Sequence, residues 1–240
     1  MLIPNSIYIN QDKLPNNVIC YNQKEIIDNI YNKLNDKIEK IDVVDILWEN
    51  KDQYLFFKTD HHMTSLGAYL AYIKLCIASG NEPERLQNFE KYEVSSSFLG
   101  TFDSKAQISN QETDKIDIYI NKNNIDIEEV QYDNETTKSI FNTSYLDKKD
   151  KYSFFLNGNN AKVVVKTKVN NGKKLLVVKD SYAHIMAQFL CQNYEEIHFI
   201  DPRYYKLSLS EYINNNNITE MLFLYNVSNI VTDLGILTVR

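Results

Sequence analysis

The chain has 240 residues and a formal net charge of −6 at pH 7. This length fits one ordinary domain or a domain with a sizeable insertion. A charged fraction of 24% and an apolar fraction of 43% exclude a disordered tail and predict a chain that folds around a core. The acidic balance, without a long run of Lys or Arg, argues against nucleic acid as a partner.

The cysteines and the apolar segments exclude two further classes of protein. Three cysteines without C-x-x-C spacing predict neither a disulfide framework nor a zinc module. No apolar stretch approaches the roughly 20 residues that span a bilayer, so the chain as given is expected to be water-soluble. Its apolar start, Met1 to Ile3, is typical of a buried strand rather than a mobile terminus, which predicts that an upstream segment is absent.

The first part of the chain predicts two helices separated by a strand. Residues 24–40 place apolar side chains on one face at helical spacing, with charges opposite. The aliphatic run from Ile41 to Leu47 is interpreted as a strand. A second helix is expected to begin near Thr64 or Ser65, either of which can cap it. The side chains predicted to form its buried stripe are Leu66, Leu70, Ile73 and Ile77.

The rest of the chain divides into a β-rich segment and a region of alternating strands and helices. Residues 92–170 contain short β-type runs between turns rich in Asn, Lys and Asp, and are interpreted as an insertion. Residues 1–91 and 171–240 are predicted to form an α/β domain around it. After residue 173 the expected strands are 175–178, 196–200 and 221–225, with helices over 181–192 and 208–215. This alternation favours right-handed crossovers and an open parallel sheet with helices on both faces.

Ser181 is the first candidate functional residue, because it follows the predicted strand 175–178 and opens a helix. Ligands of open parallel sheets bind beyond the carboxyl ends of the strands. A helix N-terminus also supplies backbone N–H groups and a positive dipole end that stabilise an oxyanion. Ser181 is therefore either a nucleophile or the N-cap of its helix, and its position alone favours neither.

A carboxylate and two histidines stand at a second helix start, in the sequence Thr59-Asp60-His61-His62. A neutral imidazole takes a serine proton when an acceptor holds its other nitrogen, and Asp60 can do this for His62. The predicted proton route runs from Ser181 to His62, which Asp60 orients. His61 is interpreted as a second candidate base or as a polar wall of the site.

Metal binding by the same residues is the weaker alternative. Neighbouring histidines diverge, and no two histidines have the i, i+4 spacing of ligands on one helix face. The side chains that would have to join such a site are His184, Cys191 and His198. Neither a metal nor a cofactor is therefore predicted.

Further polar side chains at strand ends are candidates for substrate or oxyanion binding. Arg203 and Tyr204 follow the strand 196–200, where a guanidinium can bind a carboxylate and a Tyr ring can stack on a sugar. An ion pair between Arg203 and Asp201 within the turn is an equal alternative. Asn226 follows the third strand, where it either donates to an oxyanion or belongs to a turn. The remaining candidates for this role are Tyr182 and His61.

Several of these segments together resemble the DHHW family of bacterial cell-surface proteins, whose Asp-His-His-Trp motif precedes a Thr-Ser-Leu-Gly-Ala-Tyr helix start. Residues 60–69 read Asp-His-His-Met-Thr-Ser-Leu-Gly-Ala-Tyr, with Met63 in place of the tryptophan. The other segments that carry the resemblance are Phe98 to Lys105, Lys179 to Ala183 and Asp201 to Tyr205. The departure at Met63 is expected to affect substrate contacts and to leave the proton route unchanged.

The resemblance implies a fold as well as a set of site residues. The DHHW family is similar to the SGNH-hydrolase-like proteins that O-acetylate alginate, in which a catalytic Asp-x-His precedes the serine. Asp60, His62 and Ser181 have this order, which implies an SGNH-hydrolase-like sheet in circularly permuted order. With residues 175–178 as its first strand, the other four would be 196–200, 221–225, 1–3 and 41–47.

The predicted function is that of a serine-dependent O-acyltransferase or esterase that handles an O-acetyl group on a cell-surface or extracellular polysaccharide. Its partners would be an acyl donor, the polysaccharide acceptor and a membrane-bound acyl-transfer protein. The resemblance also implies that the full-length protein lies outside the cell or at its surface, held by a membrane anchor. The main alternative is a non-catalytic carbohydrate-binding or assembly protein of the same fold, which the 17 tyrosines suggest.

Overall fold

The structure is a computed structural model that describes residues 1–107, 112–123, 127–133, 135–233 and 235–236. Within these residues, none of the helices combines the length and the apolar character required to cross a membrane. The strands of the described residues are β1 (Leu2–Ile3), β2 (Phe89–Phe98), β3 (Asp114–Asn121), β4 (Ile127–Gln131), β5 (Thr136–Thr137), β6 (Lys162–Thr167), β7 (Lys174–Lys179), β8 (Glu196–Ile200) and β9 (Glu220–Asn226).

Short helices connect most of these strands. The α-helices are α1 (Ser6–Ile9), α2 (Gln23–Tyr31), α3 (Val44–Glu49), α4 (Ser65–Ala78), α5 (Thr101–Ala106), α6 (Ala187–Leu190), α7 (Leu209–Asn216) and α8 (Val227–Ile230). The 3-10 helices are Gln11–Lys13, Leu86–Asn88, Thr143–Tyr145, Lys151–Phe154 and Ser181–Met186.

A mixed sheet of seven strands organises the molecule, in the order β1-β9-β7-β8-β6-β4-β5. The strands β1, β9, β7 and β8 run parallel, whereas β6, β4 and β5 pair antiparallel. The predicted strands 175–178, 196–200 and 221–225 are confirmed as β7, β8 and β9. The predicted parallel pairing holds for these strands and β1. The sheet as a whole is mixed, because β6 of the segment 92–170 pairs antiparallel along β8 and so satisfies backbone groups that would otherwise form an open edge.

Helices cover both faces of the sheet, as predicted. Successive side chains of β7 point to opposite faces, so that Leu175 and Val177 join one core while Leu176 and Val178 join the other. The buried residues of α4 and α6 belong to the first core, and those of α2 and α7 belong to the second.

The segment 92–170 is rich in strands and contributes to the same body. Its strands β4, β5 and β6 extend the central sheet, while β3, which pairs with β2, contacts α4 and α6. The boundaries at residues 91 and 170 between an α/β domain and an insertion stay a prediction.

The predicted strand from Ile41 to Leu47 is wrong, because this segment enters α3 instead. The Asp42 side chain accepts a hydrogen bond from the Val44 N–H at 2.8 Å, a local turn that competes with extended backbone. Val44 and Leu47, about one helical turn apart, are both buried. A run of aliphatic residues alone does not distinguish a short buried helix from a strand.

The helix predicted over residues 24–40 ends early, since α2 stops at Tyr31. Beyond it, the Lys37 N–H donates to the Asn35 side chain at 2.9 Å, and such local Asn hydrogen bonds favour turns over helix. Ile38, which the helical spacing placed on the buried face, is exposed.

The start of α4 is predicted correctly, and its buried face is predicted only in part, since Leu66, Leu70 and Ile73 are half-buried against the core. Thr64 caps the helix, and its hydroxyl accepts from the Gly67 N–H at 3.3 Å. Ile77 is exposed, and the side chains that face the core are Ala68, Tyr69, Ala71, Tyr72, Leu75 and Cys76. A Cβ atom on Gly67 would overlap the carbonyl oxygen of Leu55. The helix therefore packs largely through small and aromatic residues, which a search for large aliphatic side chains does not find.

The strand β7 lies where the order of the parallel strands reverses, with β8 on one side and β9 on the other. In open α/β sheets such a reversal leaves a crevice beyond the carboxyl ends of the strands, and ligands bind there. Asp180 and Ser181 directly follow β7 at this edge.

Candidate active site

A continuous chain of hydrogen bonds joins Ser181, His62 and Asp60. The Ser181 Oγ lies 2.8 Å from His62 Nε2, and His62 Nδ1 lies 2.5 Å from Asp60 Oδ1. The His62 and Asp60 side chains are almost fully buried. Both distances are within the reach needed for proton transfer between a nucleophile and its base, so the structure brings together the three residues predicted to share the proton route.

Ser181 is positioned by the preceding carboxylate. Asp180 caps the 3-10 helix that Ser181 opens, because Asp180 Oδ1 accepts from the Tyr182 N–H at 2.9 Å. Asp180 Oδ2 accepts from the Asn226 N–H at 2.8 Å and from Asn229 Nδ2 at 2.7 Å. The alternative in which Ser181 is the N-cap is wrong, since Asp180 fills that place and leaves the serine hydroxyl for His62.

The loop that carries Asp60 and His62 is anchored by a buried carboxylate of β3. Asp114 accepts from the Thr59 N–H at 2.7 Å, from the Thr59 hydroxyl at 2.6 Å and from the Lys58 N–H at 2.9 Å. At the other end of the loop, Thr64 begins α4. Asp60 and His62 therefore sit on a short segment that is fixed at both ends.

A second set of contacts orients the Asp60 carboxylate itself. Its Oδ1 accepts from the His62 N–H at 3.0 Å, and its Oδ2 accepts from the Thr101 N–H at 2.8 Å. Burial opposes ionisation of Asp60, but its interactions with His61 and His62 outweigh burial and hold the pKa of the carboxyl well below its usual range. Asp60 is therefore a permanent carboxylate that holds the His62 ring from its Nδ1 side.

Gly100 leaves the space in which Asp60 lies. A Cβ atom at Gly100 would overlap the Cβ and Oδ2 atoms of Asp60. We expect Gly100→Ala to displace the carboxylate and lower turnover of an acyl ester by about 10²-fold, the usual cost of a small misplacement of a reacting group. The control is Gly80→Ala beyond the far end of α4, where a Cβ atom would meet nothing within 4 Å. Equal losses of turnover, measured per folded molecule, would contradict this role of Gly100.

Burial also sets the charge of His62. Desolvation lowers the pKa of its imidazole below the ordinary value of 6.5, in spite of the opposing effect of Asp60. His62 is therefore neutral near pH 7, with its Nε2 able to accept a proton from Ser181. This is the protonation state that a general base requires.

His61 and Tyr182 lie beside this chain of hydrogen bonds. The His61 ring is stacked obliquely on His62, with 3.8 Å between ring centroids, and is partly exposed. Its Nδ1 lies 2.7 Å from the Thr101 hydroxyl. Tyr182 is buried and its O–H donates to the His61 carbonyl oxygen. Of these two predicted substrate contacts, His61 reaches the surface and Tyr182 supports the loop from below.

Arg203 does not point freely into the site. Its Nε and Nη2 bind Asp201 Oδ1 and Oδ2 at 2.8 Å and 2.6 Å, which is the ion pair that the sequence left as an alternative. The hydrogen bonds to Asp201 raise the pKa of the guanidinium. Tyr204 is exposed, and the guanidinium lies 5.5 Å from the centre of its ring.

Asn226 is used for structure, and its predicted role as an oxyanion donor is not supported by its contacts. Its Nδ2 donates to the Ile3 carbonyl at 3.1 Å and to the Asn5 side chain, which commits both amide hydrogens. Its Oδ1 accepts from the Ser228 N–H at 3.0 Å and caps α8. The side chain therefore ties β1 to the end of β9.

A buried charged cluster behind the site was not predicted from the sequence. Lys179 is almost fully buried, and its Nζ lies 2.7 Å from His184 Nε2 and 3.4 Å from Asp201 Oδ2. Burial lowers the pKa of Lys179 to about 8 against the pull of Asp201. Burial lowers the pKa of His184 well below its ordinary value, and the positive charge of Lys179 contributes to the same effect. A lysine within an aliphatic strand run gives no sequence signal of such burial.

The low pKa of Lys179 has a measurable consequence for stability. Between pH about 8 and about 10 the unfolded chain, in which this lysine has its ordinary pKa of 10.5, binds more protons than the folded chain. We therefore expect the contribution of Lys179 to the free energy of unfolding to increase with pH across this interval. Urea unfolding of wild type and of Lys179→Met at a series of pH values in this interval measures the contribution of this lysine. Identical pH slopes for the two proteins would contradict the low pKa.

The candidate metal ligands are in the same place as the proton route. Asp60, His61 and His62 each have a potential ligand atom, all within 4.8 Å of one another. Both ring nitrogens of His62 are already hydrogen-bonded, to Asp60 and Ser181. His184 and His198, named as possible additional ligands, have partners elsewhere, in Lys179 and Tyr212 respectively. The geometry therefore favours proton transfer over metal binding.

The chain belongs to the DHHW family, since residues 1–200 match the model of the family described as DHHW protein. A crystal structure of a DHHW family protein from Eubacterium siraeum is similar to it, with 26% identity and a TM-score of 0.85 over 98% of this chain and 78% of that one. Met63, which replaces the motif's tryptophan, is fully buried. The methionine side chain itself therefore does not reach a substrate, and an effect of the lost tryptophan on substrate contacts stays a prediction.

Two other kinds of solved structure share the fold. Bacillus cereus PatB1, solved with a sulfonyl adduct, has 21% identity and a TM-score of 0.82 over 98% of this chain and 82% of that chain. The O-acetyltransferase domain of Pseudomonas putida AlgJ has 11% identity and a TM-score of 0.56 over 97% of this chain and 75% of that chain. No curated protein matches the sequence.

Proposed function

We propose that this protein is a serine-dependent O-acyltransferase or esterase that handles the O-acetyl group of a cell-surface or extracellular polysaccharide. The observation that carries the proposal is the unbroken set of hydrogen bonds from Ser181 through His62 to Asp60. The fold it shares with the O-acetyltransferase domain of AlgJ supports the choice of an acetyl group.

The first half of the reaction forms an acetyl-enzyme. Ser181 Oγ attacks the carbonyl carbon of the acetyl donor, and its proton passes to His62 Nε2. Asp60 stabilises the resulting imidazolium through Nδ1. The negative charge on the carbonyl oxygen is met by the backbone N–H of Ser181 itself, because the next N–H, that of Tyr182, already donates to Asp180. Collapse breaks the bond to the donor oxygen, which takes the proton back from His62.

The second half transfers the acetyl group. A sugar hydroxyl, or water in the esterase reaction, gives its proton to His62 and attacks the acetyl-enzyme. His62 then returns the proton to Ser181 as the ester bond to the enzyme breaks. His61, whose ring stacks on His62, is partly exposed. The exposed ring of Phe102 has its centroid 6.3 Å from that of His61. Their rings would give a sugar acceptor an apolar surface on which to stack.

The strand order supports the finer proposal of an SGNH-hydrolase-like fold in circularly permuted order. Counted from β7, the parallel strands β7, β8, β9 and β1 stand in the spatial order 2-1-3-4, the order that begins one common doubly wound fold. In this numbering β1 is the fourth strand, and the loop that carries Asp60 comes after β1 in the chain. The proposal also includes a surface location through a membrane anchor and a membrane-bound protein as the source of the acetyl group.

The proposal is tested by trapping the acetyl-enzyme. The protein is mixed with an activated acetyl ester, quenched in acid, digested and analysed by mass spectrometry. One acetyl group on the peptide that contains Ser181 is expected, and it should disappear when a sugar acceptor is added before quenching. No adduct with any donor, or an adduct confined to other peptides, would overturn the proposal. Saccharide binding without acetylation would instead favour a non-catalytic carbohydrate-binding protein.

A further inference from the structure

Tyr152 contacts both residues between which the proton is proposed to move. Its ring lies parallel to the His62 imidazole, with 3.6 Å between centroids and 6° between planes. Its O–H donates to the backbone carbonyl oxygen of Ser181 at 3.1 Å. Tyr152 is only 4% exposed, so it does not reach a substrate.

The surroundings of Tyr152 fix its ring. It belongs to the 3-10 helix Lys151–Phe154, which Asp150 caps by accepting from the Ser153 N–H at 3.4 Å. The ring also packs against Phe57 and Phe155, with centroid distances of 6.4 Å and 5.5 Å. A ring held on several sides is a rigid surface for whatever stacks on it.

We propose that Tyr152 is a positioning residue that keeps the His62 imidazole and the Ser181 turn aligned for proton transfer, an inference that rests on the proposed function. Asp60 and Ser181 bind the two ring nitrogens of His62, and these hydrogen bonds alone leave the ring free to tilt about the line that joins them. The flat face of Tyr152 removes this tilt and keeps Nε2 directed at Ser181 Oγ. The hydrogen bond to the Ser181 carbonyl fixes the other partner to the same side chain.

The contact also favours the charged form of His62 that appears during the reaction. When His62 has taken the serine proton, the imidazolium lies over the negative face of the tyrosine ring, an arrangement that attracts cations. Tyr152 itself does not act as a base, because burial raises the pKa of its O–H well above the ordinary value. Its effect is therefore expected on kcat, with little change in KM.

The test compares variants that keep or remove the ring. Tyr152→Phe keeps the stacking and loses the hydrogen bond, whereas Tyr152→Leu and Tyr152→Met lose both. The matched control is Tyr132→Leu, which removes another buried tyrosine, one that follows β4 and whose O–H donates to the Ser139 carbonyl oxygen. We expect kcat for acetyl-ester turnover to fall about threefold in Tyr152→Phe and about 10²-fold in Tyr152→Leu and Tyr152→Met. The control should retain kcat.

A proton NMR measurement reads the same geometry without any substrate. The hydrogen bond between His62 Nδ1 and Asp60 Oδ1 is short, so its proton should give a downfield resonance, assigned by its loss in Asp60→Asn. The resonance should persist in Tyr152→Phe and in Tyr132→Leu and should broaden or disappear in Tyr152→Leu and Tyr152→Met. Having two ring-free variants covers the case in which one of them does not fold.

The outcomes separate the two proposals. A wild-type protein that never turns over an acetyl ester defeats the proposed function, and the NMR comparison still decides whether Tyr152 holds His62. An active wild type whose kcat and downfield resonance both survive in a folded Tyr152→Leu or Tyr152→Met variant overturns the role of Tyr152. A parallel loss of kcat in Tyr132→Leu would also overturn it, because the effect would then follow from general destabilisation.

Discussion

Replacing Ser181 by alanine should lower acetyl-ester turnover by about 10⁶-fold, the loss typical of removing the nucleophile from a serine hydrolase. The Ser181 Oγ is the atom that His62 Nε2 contacts at 2.8 Å, and alanine leaves the imidazole with no hydroxyl to deprotonate. Binding of an acetyl donor should change little, because the methyl group occupies the same place. Steady-state kinetics with an activated acetyl ester, together with labelling by a fluorophosphonate, measure both effects.

The loss of turnover in Ser181→Ala can be compared with the loss caused by substituting His62. His62→Ala should be about as inactive as Ser181→Ala, and the double variant should be no worse than either, because the two residues act as one unit. Ser79→Ala, at the far end of α4, is the control for an ordinary serine substitution and should keep full turnover. Residual turnover by Ser181→Ala within about tenfold of wild type would exclude Ser181 as the nucleophile.

Replacing Asp60 by asparagine should lower kcat by about 10⁴-fold while the fold stays intact. An asparagine can occupy the same space, but it does not stabilise the imidazolium and can hold His62 in the wrong tautomer. The surface variant Asp147→Asn makes the same chemical change at an exposed position and should be neutral. Equal kcat for Asp60→Asn and wild type would show that this carboxylate does not orient the base.

The pH dependence of kcat/KM is an independent test of the role of Asp60. In wild type, kcat/KM should fall as the pH drops through the pKa of His62, which burial holds below 6.5, because the protonated imidazole accepts no further proton. Without the Asp60 charge, the pKa of His62 should fall further, so the residual activity of Asp60→Asn should persist to lower pH. If Asp60→Asn loses its activity at the same pH as wild type, or at a higher pH, then Asp60 does not raise the pKa of His62.

The sequence was sufficient to predict that Ser181, His62 and Asp60 lie together, because each of them stands in a short local pattern. A strand end followed by a helix start is visible in consecutive residues, and the family motif adds the order of the residues. The alternation of strands and helices after residue 173 was predicted for the same reason, since hydrophobic runs and turn residues there follow one another at regular intervals.

The support of the site was not predictable, because it comes from segments far apart in the chain. The Thr101 N–H that holds Asp60 is 41 residues from it, and Asp114 is 55 residues from Thr59. Tyr152 stands in a polar, Lys-rich stretch with no pattern to mark it. Side chains such as these are recognised only when the fold has placed them beside their partners.

The errors in the fold have a related origin. The segment from Ile41 to Leu47 has the composition of a strand, but the local hydrogen bond at Asp42 starts a helix. The face of α4 that is buried depends on how closely Gly67 approaches Leu55, a property of the tertiary structure. The sequence allowed Arg203 to be either a ligand-binding residue or a partner of Asp201. The hydrogen bonds of the folded chain decide for Asp201.

The long separation between the nucleophile and its base has a consequence for how the molecule acquires reactivity. Ser181 and His62 are 119 residues apart, and closing so long a loop carries an entropic cost that local helices and turns do not. A partly folded chain that has formed only its nearby strand pairs and helices has a serine with no base beside it. Under the proposed mechanism, attack on an acyl donor therefore requires the native contact between Ser181 and His62, and a folding intermediate that lacks this contact does not react.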